Sequence, residues 1–138
     1  MTANSNELSR WLEGFVQQGG GVAGTVHRRA GDGLELAAAF NIPPKVQEIT
    51  AKIPRGKGMA GLALERDQPV QTCNLQTDTS GDVKPGARAV SAQAAVAIPV
   101  HGEDGGVRAV VGIAFQEEGE LGQERVEALS RAAAGLPA

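Results

Sequence analysis

Leu8, Trp11, Leu12, Phe15 and Val16 fall at i, i+3, i+4, i+7 and i+8. That spacing lines apolar side chains along one face of an α-helix. Asn4 and Glu7 stand ahead of the run as a capping pair, and Gly19-Gly20-Gly21 closes it. The pattern predicts an amphipathic helix over about residues 5–18. The period then shortens. Val22 to Arg29 reads as a strand and Leu34 to Asn41 as its hairpin partner, with Ala30-Gly31-Asp32-Gly33 as the turn. Leu34, Leu36, Ala38 and Phe40 are expected on one face of the second strand. Ala37 and Ala39 make the other face apolar too, so the sheet is expected to lie between two layers. Pro43 and Pro44 open a helical segment reaching about Lys52, with Val46 and Ile49 as its buried side.

Ile53-Pro54-Arg55-Gly56-Lys57-Gly58-Met59-Ala60-Gly61-Leu62-Ala63-Leu64 is a glycine-rich turn feeding a short helix, from Met59 to about Arg66. A helix start of this kind offers free backbone N–H groups to a polar ligand. Asp67-Gln68-Pro69 ends the helix, and Val70-Gln71-Thr72 reads as a short strand that Pro69 marks as an edge. Asn74 to Ala92 has little periodicity, the mark of a binding loop or lid, with a short helix expected around Ala87 to Ala92. Ala94 to Val100 is apolar on both faces, as central strands are. After the loop from His101 to Gly106, Val107 to Gln116 returns with Val107, Ala109, Val111, Ile113 and Phe115 on one face. Leu121 to Leu136 closes the chain as a helix, its buried side Val126, Leu129, Ala133 and Leu136. Glu117, Glu118, Glu120 and Glu124 gather at its start, where the helix dipole favours negative charge. The order predicts an α+β domain with an antiparallel sheet.

Composition narrows the function classes. The 138 residues suit one domain, with a core over about residues 22–116 and a closing helix over about 121–136. A net charge of −3 and scattered basic residues argue against nucleic acid as a partner. Apolar runs are too short to span a bilayer, and no secretory leader is read at the start, so a cytoplasmic protein is expected. The single cysteine, Cys73, excludes an internal disulfide and suits a reducing compartment. No Cys/His cluster exists for zinc. Only Trp11, Phe15, Phe40 and Phe115 are aromatic, few rings for a large planar chromophore. No cofactor is expected.

Taken together in this order, the segments resemble the GAF domain family. Ile53 to Ala63 looks like the family's G-x-G-hydrophobic-x-G entrance to the pocket helix, and Gln68-Pro69-Val70-Gln71-Thr72 like the strand after it. Ala94 to Val100 and Val110-Val111-Gly112-Ile113 look like the two central strands. The resemblance covers roughly Leu8 to Leu136. It implies a PAS/profilin-type antiparallel sheet between the two terminal helices and a layer of short helices and loops. Such domains are usually sensory modules holding a small ligand, and many dimerise through their terminal helices. With no output domain recognised, the signal is expected to leave through a dimer interface or a partner signalling protein.

One enzymatic branch has a similar layout, the free methionine-(R)-sulfoxide reductases. Alignment puts its cysteines at Ala60 and near Arg88, and its acidic residues at Ala95, Ile113 and Phe115. None of those residue types is present, so the branch is disfavoured and no catalytic residue is assigned. The cyclic-nucleotide branch's Asn-Lys-x-Phe-Asp-Glu set is absent. His27, on an outer strand, and His101, in a hairpin loop, are poor haem ligands. A purely structural dimerisation module remains as a third reading. The candidate pocket residues are Phe40, Lys57, Met59, Cys73, Arg88, Gln93, Ala95, Ala97, Ile113 and Phe115. Four of these, Ala95, Ala97, Ile113 and Phe115, are expected on the sheet side, making an apolar cavity or a closed core. For an anionic ligand, Arg88 is the first candidate partner and Lys57 the second.

Overall fold

A computed structural model describes residues 5–72, 94–116 and 121–137. Helix α1 (Ser5–Gly19) leads into strands β1 (Ala23–Ala30) and β2 (Gly33–Phe40). Helix α2 (Pro44–Ile49), strand β3 (Lys52–Ile53), helix α3 (Gly58–Arg66) and strand β4 (Val70–Thr72) follow. Strands β5 (Ala94–His101) and β6 (Val107–Phe115) and helix α4 (Gln123–Ala133) complete it. The six strands form one sheet in the order β3-β2-β1-β6-β5-β4, and every pairing is antiparallel. The α+β class expected from the sequence is the observed one. The expected long loop, its short helix around Ala87 to Ala92, and the acidic run of Glu117, Glu118 and Glu120 lie outside the described residues.

The α1 stripe is buried as its spacing predicts: Leu8, Leu12, Phe15 and Val16 are in the core, and Trp11 is half-buried. Trp11 and Phe15 stack with centroids 5.0 Å apart. The helix ends in a Schellman arrangement. Gly21 N–H donates to the Val16 carbonyl at 2.9 Å and Gly20 N–H to the Gln17 carbonyl at 3.2 Å. Gly20 takes φ +79°, a conformation that costs glycine little.

Two apolar layers sandwich the sheet. On one side α1 and α4 cover Val26, Val96, Ile98, Val111, Ile113 and Phe115. On the other side α3 packs through Ala63 and Leu64 on Leu34, Ala97, Val107 and Val110. Arg125 of α4 lies over the Phe115 ring at 4.7 Å and donates to the Gly19 carbonyl at 3.0 Å, joining α4 to the end of α1.

Three expectations are corrected. First, Leu34 packs with the α3 layer, whereas Ala38 and Phe40 pack with the terminal helices. The cause is a bulge. Val26 pairs with Ala38 and His27 with Leu36, leaving Ala37 as an extra residue that reverses the alternation. A second irregularity, where Val100 pairs with Ala109 and His101 with Val107, likewise moves Val107 off the face of Ala109, Val111, Ile113 and Phe115. Second, α2 stops at Ile49, and Lys52 and Ile53 pair with β2 as an edge strand. Leu36 N–H donates to the Ala51 carbonyl at 2.8 Å, so the backbone after Thr50 is committed to the sheet. Third, Val46 is buried but Ile49 is 49% exposed, since it ends a helix too short to lay two turns on the core.

Candidate functional site

A pocket of about 140 Å³ opens between the sheet and the layer formed by α2 and α3. Its floor is a bench of small residues on three neighbouring strands. Across the sheet, Thr25 pairs with Gly112, and Gly112 with Ala97. One step along, Ala114 pairs with Ala95. All five line the pocket. Strand alternation explains the choice of residues. On β5, Ala95 and Ala97 face the pocket layer while Ala94, Val96 and Ile98 join the terminal-helix core. The large side chains of the central strands are thus turned away, and alanine and glycine leave the space open. A Cβ placed on Gly112 would come 2.9 Å from Thr25 Oγ1, so this crossing is already tight at its base.

The walls come from the two short helices. Met59 and Ala60 stand at the start of α3, with Gly58 before them, and Ile53 lies beneath. The turn before α3 uses φ +80° at Gly56 and +67° at Gly58. Helix α3 sits close to that turn because residue 61 is glycine: a Cβ on Gly61 would lie 2.5 Å from the Pro54 carbonyl oxygen. Ile42, Val46 and Thr50 supply the α2 wall. Three hydrogen bonds hold it. Gln47 Nε2 donates to the Ile42 carbonyl at 2.9 Å, and Thr50 Oγ1 to the Val46 carbonyl at 2.8 Å. His27 Nε2 donates to the Thr50 carbonyl at 2.9 Å. A carbonyl only accepts, so the proton of this bond sits on His27 Nε2.

His27 departs furthest from the position expected of it. Among the described residues it is the buried polar one, at 2% exposure, and it lines the pocket. It was expected on an outer strand, yet β1 lies inside the sheet between β2 and β6. Thr25, Ile42, Val46 and Thr50 were also missed. The alternation of Thr25, Val26 and His27 could have flagged the first and third as one face.

The other candidates divide. Met59, Ala95 and Ala97 are brought together in the wall and floor. Ile113 touches the pocket, but its side chain is turned to the terminal helices, close to Gly19 and Gly21. Phe115 lies wholly in that terminal-helix core, and Phe40 packs against it. The floor on β6 is made by Gly112 and Ala114 instead, one residue away from the expected positions, because side chains alternate with period two. Lys57 is exposed as the N-cap of α3 and is not part of the wall. Cys73, Arg88 and Gln93 lie outside the described residues.

No charged side chain lines the pocket among the described residues. Nor do three or more His, Cys, Asp or Glu residues come together there as a metal site. No helix among the described residues is long and apolar enough to cross a membrane. His101 and Asp67, an exposed pair in contact, lie at the far ends of β5 and α3 and not in the pocket.

Solved structures of low sequence identity share this fold. A type II free methionine-R-sulfoxide reductase from Thermoplasma acidophilum superposes with TM-score 0.74 at 16% identity, covering 96% of this chain and 89% of that one. The GAF domain of a phosphoenolpyruvate-protein phosphotransferase from Acinetobacter gives 0.73 at 11% identity, over 97% and 79% of the two chains. The nlh2 GAF domain of A. aeolicus, in an inactive state, gives 0.68 at 19%, over 97% and 80%. No curated protein matches the chain by sequence. The family model described as GAF domain matches residues 7–136. With that match across nearly the whole chain, and with the six-stranded antiparallel sheet, the terminal helices on one face and the pocket on the other, the chain belongs to the GAF domain family.

Proposed function

We propose that this GAF domain is a regulatory module that binds a small molecule in the pocket between the sheet and α2/α3. One observation carries the reading. The two faces of the central strands are filled unequally. Val96, Ile98, Val111, Ile113 and Phe115 pack solidly under the terminal helices, while Ala95, Ala97, Gly112 and Ala114 leave about 140 Å³ open on the other face. A closed core would fill that volume, since interiors pack to near-crystalline density. The signal would leave through α1 and α4, which lie directly behind the pocket floor, to a second copy or to a partner protein. The single cysteine suits a cytoplasmic setting.

A reductase acting on free methionine sulfoxide is disfavoured. The β6 positions that face the pocket are Gly112 and Ala114, and neither carries a carboxylate. Ala60 offers no thiol where the resemblance places one. Native mass spectrometry of protein purified gently from its own host tests the binding reading. A small molecule retained by the folded domain is the expected result. Ligand-free protein whose melting temperature ignores a broad metabolite panel would overturn it. Turnover of free methionine sulfoxide that is lost in Cys73→Ser would favour the enzyme instead. Sedimentation at micromolar concentration tests the route: a monomer would exclude signalling through a homodimer.

A further inference from the structure

Resting on the ligand-binding reading above, we infer that the pocket takes a compact, uncharged, mainly apolar molecule whose one polar group is read by the Thr25 hydroxyl. Size comes first. A cavity of about 140 Å³ matches engineered apolar cavities that admit a benzene-sized guest, about six to eight non-hydrogen atoms. Chemistry comes next. The described lining is Ala95, Ala97, Gly112 and Ala114 below, with Met59, Val46 and Ile53 above, and it carries no charge. An ionised ligand buried there would lose its hydration without a counter-charge from these residues.

Three side chains in the lining can hydrogen-bond: Thr25, His27 and Thr50. Two of them make bonds within the α2 wall. The Thr50 hydroxyl donates to the Val46 carbonyl, and His27 Nε2 donates to the Thr50 carbonyl. The Thr25 hydroxyl makes neither of these wall bonds and stands on the floor beside Gly112. Because residue 112 has no side chain, a ligand can settle against the strand next to Thr25 Oγ1. A hydroxyl both donates and accepts, so it can read an alcohol, a phenol, a carbonyl or an amide.

Calorimetry with benzene, phenol and benzoate, three probes on one skeleton, tests the inference on the full chain at neutral pH. Phenol should bind about three- to tenfold more tightly than benzene, the usual worth of one net hydrogen bond. Benzoate should bind at least about a hundredfold more weakly than phenol. Thr25→Val should bring phenol down to the benzene level and leave benzene as it was. Ala97→Leu should abolish binding of all three while the domain stays folded by circular dichroism. Benzoate binding as tightly as phenol, and lost in Ala97→Leu, would overturn the ligand class while leaving the pocket reading intact. Phenol binding unchanged in Thr25→Val would overturn the role of Thr25. Failure of all three probes to bind the unaltered protein would overturn this inference, and the ligand-binding reading falls with it only if the metabolite panel also leaves the melting temperature unmoved.

Discussion

Thr25 on β1 and Gly112 on β6 are register partners, and a Cβ on Gly112 would lie 2.9 Å from the Thr25 hydroxyl oxygen. Glycine at residue 112 therefore lets the Thr25 side chain lie across the pocket floor at this crossing. Gly112→Val puts two methyl groups at this crossing. The expected result is loss of at least about tenfold in affinity for any pocket ligand, with a stability cost of about 1–3 kcal/mol from overpacking. Ligand titration and urea unfolding of the same variant measure both.

Ile113, one residue on, faces the other way and is fully buried under the terminal helices. Ile113→Ala should cost about 2–5 kcal/mol in urea unfolding, through lost burial and the cavity left behind. Ligand affinity of the remaining folded protein should change by less than about threefold. This pair of neighbours separates core from pocket more sharply than either alone.

Much of this architecture was legible along the chain. The α1 stripe repeats with helical period, and β2 and β5 are apolar on both faces, which calls for a layer on each side of the sheet. The turn from Ile53 to Leu64 marks where α3 meets the pocket, and the family resemblance puts Ala95 and Ala97 on its sheet side. The misplacements share a physical origin. Phe40 was put on the pocket face because nothing in Ala37-Ala38-Ala39 tells which alanine is the extra one in the bulge. Alignment places Ile113 and Phe115 there too; Ile113 touches the pocket, while Phe115 packs with the terminal helices, since an offset of one residue reverses a strand's faces. His27 sits in a polar stretch, Thr-Val-His-Arg-Arg, and its burial depends on a carbonyl 23 residues away. The two-residue strand β3 is too short to leave a periodic signal.

His27 ties β1 to the end of α2 through the Thr50 carbonyl. His27→Leu keeps the apolar bulk and removes the donor, leaving that carbonyl without this bond. A loss of about 1–3 kcal/mol in stability is expected. Hydrogen exchange should rise at the α2 amides of Val46 and Gln47, where the wall is released, and stay unchanged in α4.

Arg108 anchors the far end of the chain. It donates to the Leu136 carbonyl at 2.7 Å and to the Pro137 carbonyl at 3.4 Å. Arg108→Ala should cost about 1–2 kcal/mol, mostly through the shorter bond. The Leu136 amide should lose protection from exchange first, before those of α1.

Gly20 closes α1 at φ +79°. Gly20→Ala forces an L side chain into that region and should lower stability by about 1 kcal/mol. The shift in urea midpoint with an unchanged slope would mark a change in stability alone.

The ligand is proposed to sit on the α2/α3 face of the sheet and not under the terminal helices. Amide chemical-shift mapping with a retained or saturating ligand tests it most directly. The largest shifts should fall on Thr25, Met59, Ala95, Ala97, Gly112 and Ala114, with the amides of Leu12, Val16 and Leu129 nearly still. Largest shifts on those helical residues, with the floor unmoved, would contradict it.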